Sequence, residues 1–187
     1  MDKSFLRKQL LEKRNSMQDD EASYKSSQIA KKLLALKQIK SAKIVALYHQ
    51  FKTEVATDQI IQSLLLQGKT ILLPFMDLDN IKFSKINSLQ GLVKSKNGIL
   101  EPSQKVAVDP NSIDVFIVPA LGFDPSGYRV GSGKGYYDKF FNETKAAGQK
   151  IGLAFDFQVV KKVPNEPHDV KMDLVVSEKR IYRPLEI

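Results

Sequence analysis

Apolar positions along this chain of 187 residues change their period several times, and each change marks an element. Two basic segments of helical pattern come first, separated near Ser16-Met17-Gln18-Asp19, where Asp19 or Asp20 is placed to cap the second. In that second segment Ile29, Leu33 and Leu36 recur at i, i+4 and i+7 and form one apolar face. The β-rich run Lys43–Tyr48 follows. After a turn, Thr57–Leu66 pairs Ile60 with Leu64 and Ile61 with Leu65, carries Asp58 in its first turn and stops at Gly68. The next strand is Thr70–Leu73, closed by Pro74. Strand, helix, strand in this order predicts a right-handed crossover in a parallel sheet.

The middle of the chain is less regular. Ile81–Ile86 reads as an edge strand and Asn97-Gly98-Ile99-Leu100-Glu101-Pro102 as a turn-rich loop. Ile113–Pro119 is almost wholly apolar, the composition of a central parallel strand buried on both faces. Further strands are expected at Ile151–Phe155, Leu174–Val176 and Ile181–Arg183. These elements predict an α/β fold around a mostly parallel sheet in one domain over residues 1–187, with an N-terminal helical segment.

Beyond the central run lies Gly127-Tyr128-Arg129-Val130-Gly131-Ser132-Gly133-Lys134-Gly135-Tyr136-Tyr137-Asp138, with four glycines, two cations, three tyrosines and a carboxylate. Glycines leave backbone N–H groups unshielded and admit positive φ, while Arg129 and Lys134 supply charge. From Gly135 onward the pattern is helical, so the first amides and the positive dipole end point into the same loop. A phosphate cradle follows from this combination, at the carboxyl end of a strand where open α/β sheets bind ligands. It is not a Walker A loop, because Tyr128 stands where the first glycine is needed and Gly135 where the metal-binding hydroxyl is needed. The dinucleotide and kinase glycine fingerprints fail at Tyr136 and Asp138. A glycine-rich surface turn without a ligand is the plainer alternative, and the flanking Arg129, Lys134 and Asp138 weigh against it.

Lys3 and Arg7, four apart on the first helix, share a face and are placed to grip a polyanion from the side opposite the loop; an ordinary basic helix exterior is the alternative. A triphosphate brings Mg²⁺, for which Asp138 and Asp173 are the candidate carboxylates, although either serves equally as a cap. His168 with Asp169 is a further metal-ligand candidate, but Pro164 and Pro167 just before them mark an irregular loop that reads as a surface turn. Tyr136, Tyr137, Phe51 and Glu54 suit a flat heterocycle with N–H donors, or else ordinary packing around a solvated carboxylate.

Composition restricts the classes of function. Hydrophobic residues make up 42% and charged residues 27%, as in an ordinary globular protein. No apolar run approaches the ~20 residues that span a bilayer, and the charged start Asp2-Lys3-Ser4 differs from a signal peptide, so a cytoplasmic protein is expected. The chain has no cysteine, which removes disulfides, cysteine-based zinc sites and thiol nucleophiles. The net charge of +8 comes from 29 basic and 21 acidic residues and invites a nucleic-acid reading. The lysines are spread along the chain and no nucleic-acid-binding signature accompanies them, so the charge favours polyanionic small molecules instead.

Taken together, Lys3-x-x-Leu6-Arg7, Glu54, Asn97–Pro102 and the segment Gly127–Asp138 resemble the 5-formyltetrahydrofolate cyclo-ligase family, also called methenyltetrahydrofolate synthetase. The resemblance spans essentially the whole chain. It implies a three-layer sandwich around a Rossmann-like sheet, and an enzyme that closes 5-formyltetrahydrofolate to 5,10-methenyltetrahydrofolate while ATP becomes ADP and phosphate, through phosphorylation of the formyl oxygen. It also implies ATP binding by Lys3, Ser4, Phe5, Leu6 and Arg7 and by Arg129, Val130, Gly131, Ser132, Gly133, Lys134, Gly135, Tyr136 and Tyr137, with Arg129 and Lys134 catalytic. The substrate site it implies consists of His49, Glu54 and Gly133 through Tyr137, and the Mg²⁺ site of Asp138 and Asp173. A module that binds folate or nucleotide without turnover is the alternative, and neither reading calls for nucleic acid, membrane or an obligatory protein partner.

Overall fold

The computed structural model describes residues 2–184. Three helices lead, α1 (Lys3–Asn15), α2 (Asp19–Ala35) and α3 (Lys37–Ser41). There follow β1 (Ile44–Leu47), α4 (Asp58–Leu66), β2 (Thr70–Asp77), β3 (Asn80–Ile86), β4 (Leu92–Lys94) and β5 (Leu100–Pro102). The second half holds β6 (Val115–Val118), β7 (Gly122–Phe123), β8 (Arg129–Val130), α5 (Tyr136–Thr144), β9 (Gln149–Leu153), β10 (Leu174–Val176) and β11 (Ile181–Tyr182). Seven strands form one sheet in the order β11-β10-β9-β6-β1-β2-β3, parallel except for the two antiparallel edge strands. The expected α/β three-layer fold is what the chain adopts, with β6 in the central position its composition demanded.

Alternation along the strands builds the two outer layers. Val45, Leu47, Ile71, Leu73, Val115, Ile117, Ile151 and Leu153 face one side and pack on Ile29 and Leu33 of α2, Ile39 of α3 and Ile60, Ile61 and Leu64 of α4. The intervening Ala46, Leu72, Phe116 and Val118 face the other and meet Phe140 and Phe141 of α5. Ile60, Ile61 and Leu64 have no solvent exposure, and each contributes about 2 kcal/mol of transfer free energy. The helix face read at Ile29, Leu33 and Leu36 is fully buried, although α2 ends at Ala35 and Leu36 serves as its cap position.

Three expectations need correction. Pro74 does not close β2, which runs on to Asp77. Pairing with β1 ends at Leu72, so the missing N–H of Pro74 falls where β2 has a neighbour on one side only, and its partner Phe83 belongs to β3. Neither Asp19 nor Asp20 caps α2; the cap position is Gln18, and both aspartates sit in the first turn, where they complement the dipole. The supposed loop at Asn97–Pro102 supplies the second strand of a hairpin, β4 with β5, around the turn at Gly98. No helix among the described residues is long and apolar enough to cross a membrane.

Candidate active site

The direction of strand succession reverses between β1 and β6: β2 lies on one side of β1 and β6 on the other. The chain leaving β1 runs through His49, Gln50 and Phe51 to Glu54, and the chain leaving β6 runs through the β7–β8 hairpin to the glycine loop. The two candidate elements therefore flank one topological switch point, the crevice outside the carboxyl ends of the strands.

Gly133 (φ 107) and Gly135 (φ 67) occupy the left-handed region and expose the backbone of an otherwise solvent-facing loop. Gly135 is the cap position of α5 and no side chain caps the helix, which leaves its first amides and positive dipole end free for an anion. Lys134 is exposed, makes no ion pair among the described residues, and lies 5.6 Å from the Tyr136 ring centroid. From the opposite side α1 brings two of its cations. Arg7 Nε donates to Gly131 O at 2.9 Å, and its guanidinium passes 3.7 Å from the Cβ position of Gly133. Lys3 Nζ binds Asp169 Oδ2 at 2.7 Å. Leu6 is buried with Leu10 against Leu121 and Val130 of the hairpin, the packing that fixes α1 here. Ser4 and Phe5 point to solvent.

Arg129 is placed differently from Lys134. It is 7% exposed, bonds Asp138 Oδ1 through Nη2 at 2.8 Å and donates to Val170 O through Nη1 at 2.7 Å. Burial lowers its pKa, and the Asp138 charge partly restores it. Asp138 also accepts from Val170 N, again on Oδ1. Asp173 lies on a different element from Asp138. It is exposed at the amino end of β10, where Oδ2 accepts from Lys150 N at 2.6 Å, and Asp114 makes the same kind of contact with Lys43 N and Ile44 N ahead of β1. A third carboxylate, Asp169, is bound to Lys3; burial would raise its pKa, but Lys3 and the Glu166 N–H hold it below the usual range.

Across the crevice, Glu54 Oε2 accepts from Phe51 N at 3.0 Å. Burial raises the Glu54 pKa, against the opposing pull of that N–H and of Arg14. Tyr137 and Tyr48 feel the Glu54 charge, and burial lifts both phenols above their ordinary range. The first turn of α5 thus joins the phosphate loop to the Glu54 pocket. Phe51 borders the Gly98 turn of the β4–β5 hairpin, 3.9 Å from the Cβ position there. His49 is turned toward α4, with Nε2 2.9 Å from Asp58 Oδ1 and Nδ1 3.2 Å from Gln50 O. Sequence reasoning overlooked Arg14. At 100° per residue it falls within about 40° of Lys3 and Arg7 on the α1 wheel, and that stripe was the available signal.

The fold and its crevice define a doubly wound α/β protein that can hold a polyanion and a planar, donor-bearing ring side by side. The chain belongs to the 5-formyltetrahydrofolate cyclo-ligase family, which matches residues 1–178, and is an ATP-dependent ligase of that kind. It is 33% identical to the 5-formyltetrahydrofolate cyclo-ligase of Mycoplasma pneumoniae over 183 residues, covering 96% of this chain and 100% of the relative. The mouse enzyme of the same name is 27% identical over 189 residues, with 94% and 93% covered. The NMR structure of Aquifex aeolicus 5,10-methenyltetrahydrofolate synthetase superposes with a TM-score of 0.89 at 34% identity, covering 100% of this chain and 95% of that one.

Proposed function

We propose that one domain over residues 1–187 converts 5-formyltetrahydrofolate and ATP into 5,10-methenyltetrahydrofolate, ADP and phosphate, with the triphosphate on the glycine loop and the pterin over Glu54. The observation that carries this arrangement is the first turn of α5, which follows the glycine loop directly and sets Tyr137 within the field of the Glu54 carboxylate. The formyl oxygen is amide-like and leaves poorly. Transfer of the γ-phosphoryl group to it makes a phosphate leaving group; N10 then attacks the formyl carbon, loses its proton, and phosphate departs. Such transfers are catalysed mainly by positioning and by neutralising charge.

In this reading the loop amides from Gly131 to Tyr137, Lys134 and Arg7 hold the phosphates, and Lys3 exchanges Asp169 for them. Arg129 works from behind the loop, fixing Asp138 and lending it positive field. Magnesium is the ion the reaction calls for. Among the described residues no group of three or more potential ligands gathers into a cage. Such an ion takes one or two carboxylates and otherwise phosphate and water, and Asp138 keeps Oδ2 clear of the contacts made by Oδ1. The donor set suits an ion carried on ATP, which would neutralise the phosphate oxygens. The absence of cysteine supports a cytoplasmic setting.

The test is absorbance of the methenyl product after mixing the protein with 5-formyltetrahydrofolate, with and without Mg-ATP. Growth only with Mg-ATP is the expected outcome. A folded protein that binds the folate and yields no product would instead be the non-catalytic module.

A further inference from the structure

Arg14 is left without a task by the reaction as described. It is 6% exposed, and its Nε donates to Thr53 Oγ1 at 3.2 Å, the only contact its guanidinium makes with a protein acceptor among the described residues. Burial lowers its pKa, and the Glu54 charge opposes that without an ion pair forming between the two. A buried cation lacking a carboxylate partner is costly to keep. The Thr53 contact sets it one residue along the chain from Glu54, and Thr53 is itself held, donating to Asn15 Oδ1 at 2.8 Å. Arginine is a donor only, in a planar fork, and an ionised glutamate is an acceptor only. The two side by side match a ring edge on which N–H groups adjoin a carbonyl oxygen.

We propose that Arg14 reads the ring carbonyl of the pterin while Glu54 accepts from the neighbouring N–H groups, which makes Arg14 the residue that selects a 4-oxo ring over a 4-amino ring. The inference rests on the cyclo-ligase reading and on Glu54 as the pterin acceptor. A 4-amino group would turn a donor toward the Arg14 donors and leave both unpaired. Sites built to hydrogen-bond a polar group reject the analogue that cannot answer, far beyond what shape alone achieves.

The experiment compares dissociation constants for 5-formyltetrahydrofolate and for its 4-amino-4-deoxy analogue in the wild type, Arg14→Gln and Arg14→Lys, after confirming wild-type turnover with Mg-ATP. Gln offers a carbonyl that can accept from a 4-amino group. The expected result is a wild-type preference for the 4-oxo ring that falls at least tenfold in Arg14→Gln, with the KM for Mg-ATP changed less than twofold. Arg14→Lys keeps the charge but not the fork; it should lose part of the preference, and it carries the measurement if the Gln variant fails to fold. A ratio unchanged in the folded variants, with both ligands weakened alike, overturns the assignment to Arg14 and leaves the cyclo-ligase reading standing. Absence of wild-type turnover would overturn that reading, and this inference with it.

Discussion

At the scale of single residues, the two sides of the crevice should separate in their response to substitution. Lys134 is exposed and makes no ion pair among the described residues, so Lys134→Ala should leave Tm unchanged while kcat/KM for Mg-ATP drops by about 100- to 1,000-fold, the usual effect of losing one donor to developing charge. Glu54 behaves in the opposite sense. Its folded pKa is raised by burial, so the folded state holds the proton more tightly; the stability linked to this group is whole below the ordinary carboxylate range and is lost as pH rises through the raised value. Glu54→Gln removes that liability. Its Tm should exceed the wild type at pH 7, with the advantage fading toward pH 4, while folate binding weakens by roughly 10- to 100-fold. A Tm difference that grew on acidification would contradict the burial argument. Glycine and charge in one short segment made the loop legible in the chain itself. The stripe on α1 hinted at Arg14, but the contacts of Arg14 and Asp169 were not legible, because their partners Thr53 and Lys3 lie 39 and 166 residues away.

Among the elements, those with a clean period were readable: α2 from its apolar face, α4 from its paired apolar positions, β6 from its unbroken run. Elements whose form depends on what lies beside them were not. Pro74 ends a strand or passes through one according to whether a neighbour needs its N–H, and β1 stops short of it. The β4–β5 hairpin carries no strong alternation: Leu92 packs against the core while Val93 and Lys94 face solvent. The β7–β8 hairpin shows how such a short piece is held in place. Phe123 pairs with Arg129 across it and lies over Gly152 of β9, where a Cβ would come within 2.4 Å of the ring. Gly152→Ala must push the hairpin outward at a cost of about 1–3 kcal/mol, a fall in Tm of roughly 2–12 °C for a chain of this size. Because Arg129 moves with Phe123, the KM for ATP should rise in the same variant while the folate dissociation constant holds. An unchanged Tm would mean that the ring has room to yield.

Across the whole molecule, α1 joins the two halves of the site: its Lys3 binds Asp169, its Arg7 the glycine loop and its Arg14 Thr53 beside Glu54, on one stripe of a helix packed on the β7–β8 hairpin. Each substrate therefore tightens the same helix from a different end, and either one bound at 100 times its dissociation constant should stabilise the fold by about 2.7 kcal/mol, roughly 5–11 °C in Tm. The pattern of losses distinguishes the two ends. Lys3→Met should forfeit part of the shift caused by Mg-ATP and none of the shift caused by 5-formyltetrahydrofolate, and Glu54→Gln the reverse. Lys3→Met also exposes the other role of that lysine in the unliganded protein. The pKa of Asp169 lies below its unfolded value, so the stability it carries is present above the ordinary carboxylate range and is lost as pH falls through the depressed value. Without Lys3 much of that contribution is absent, and the unliganded Tm of the variant should trail the wild type at pH 7 and converge with it as the pH falls below the ordinary carboxylate range. A variant that lost both ligand shifts equally would indicate that α1 had come away from the hairpin as a unit, and the division of labour along its stripe would then have to be abandoned.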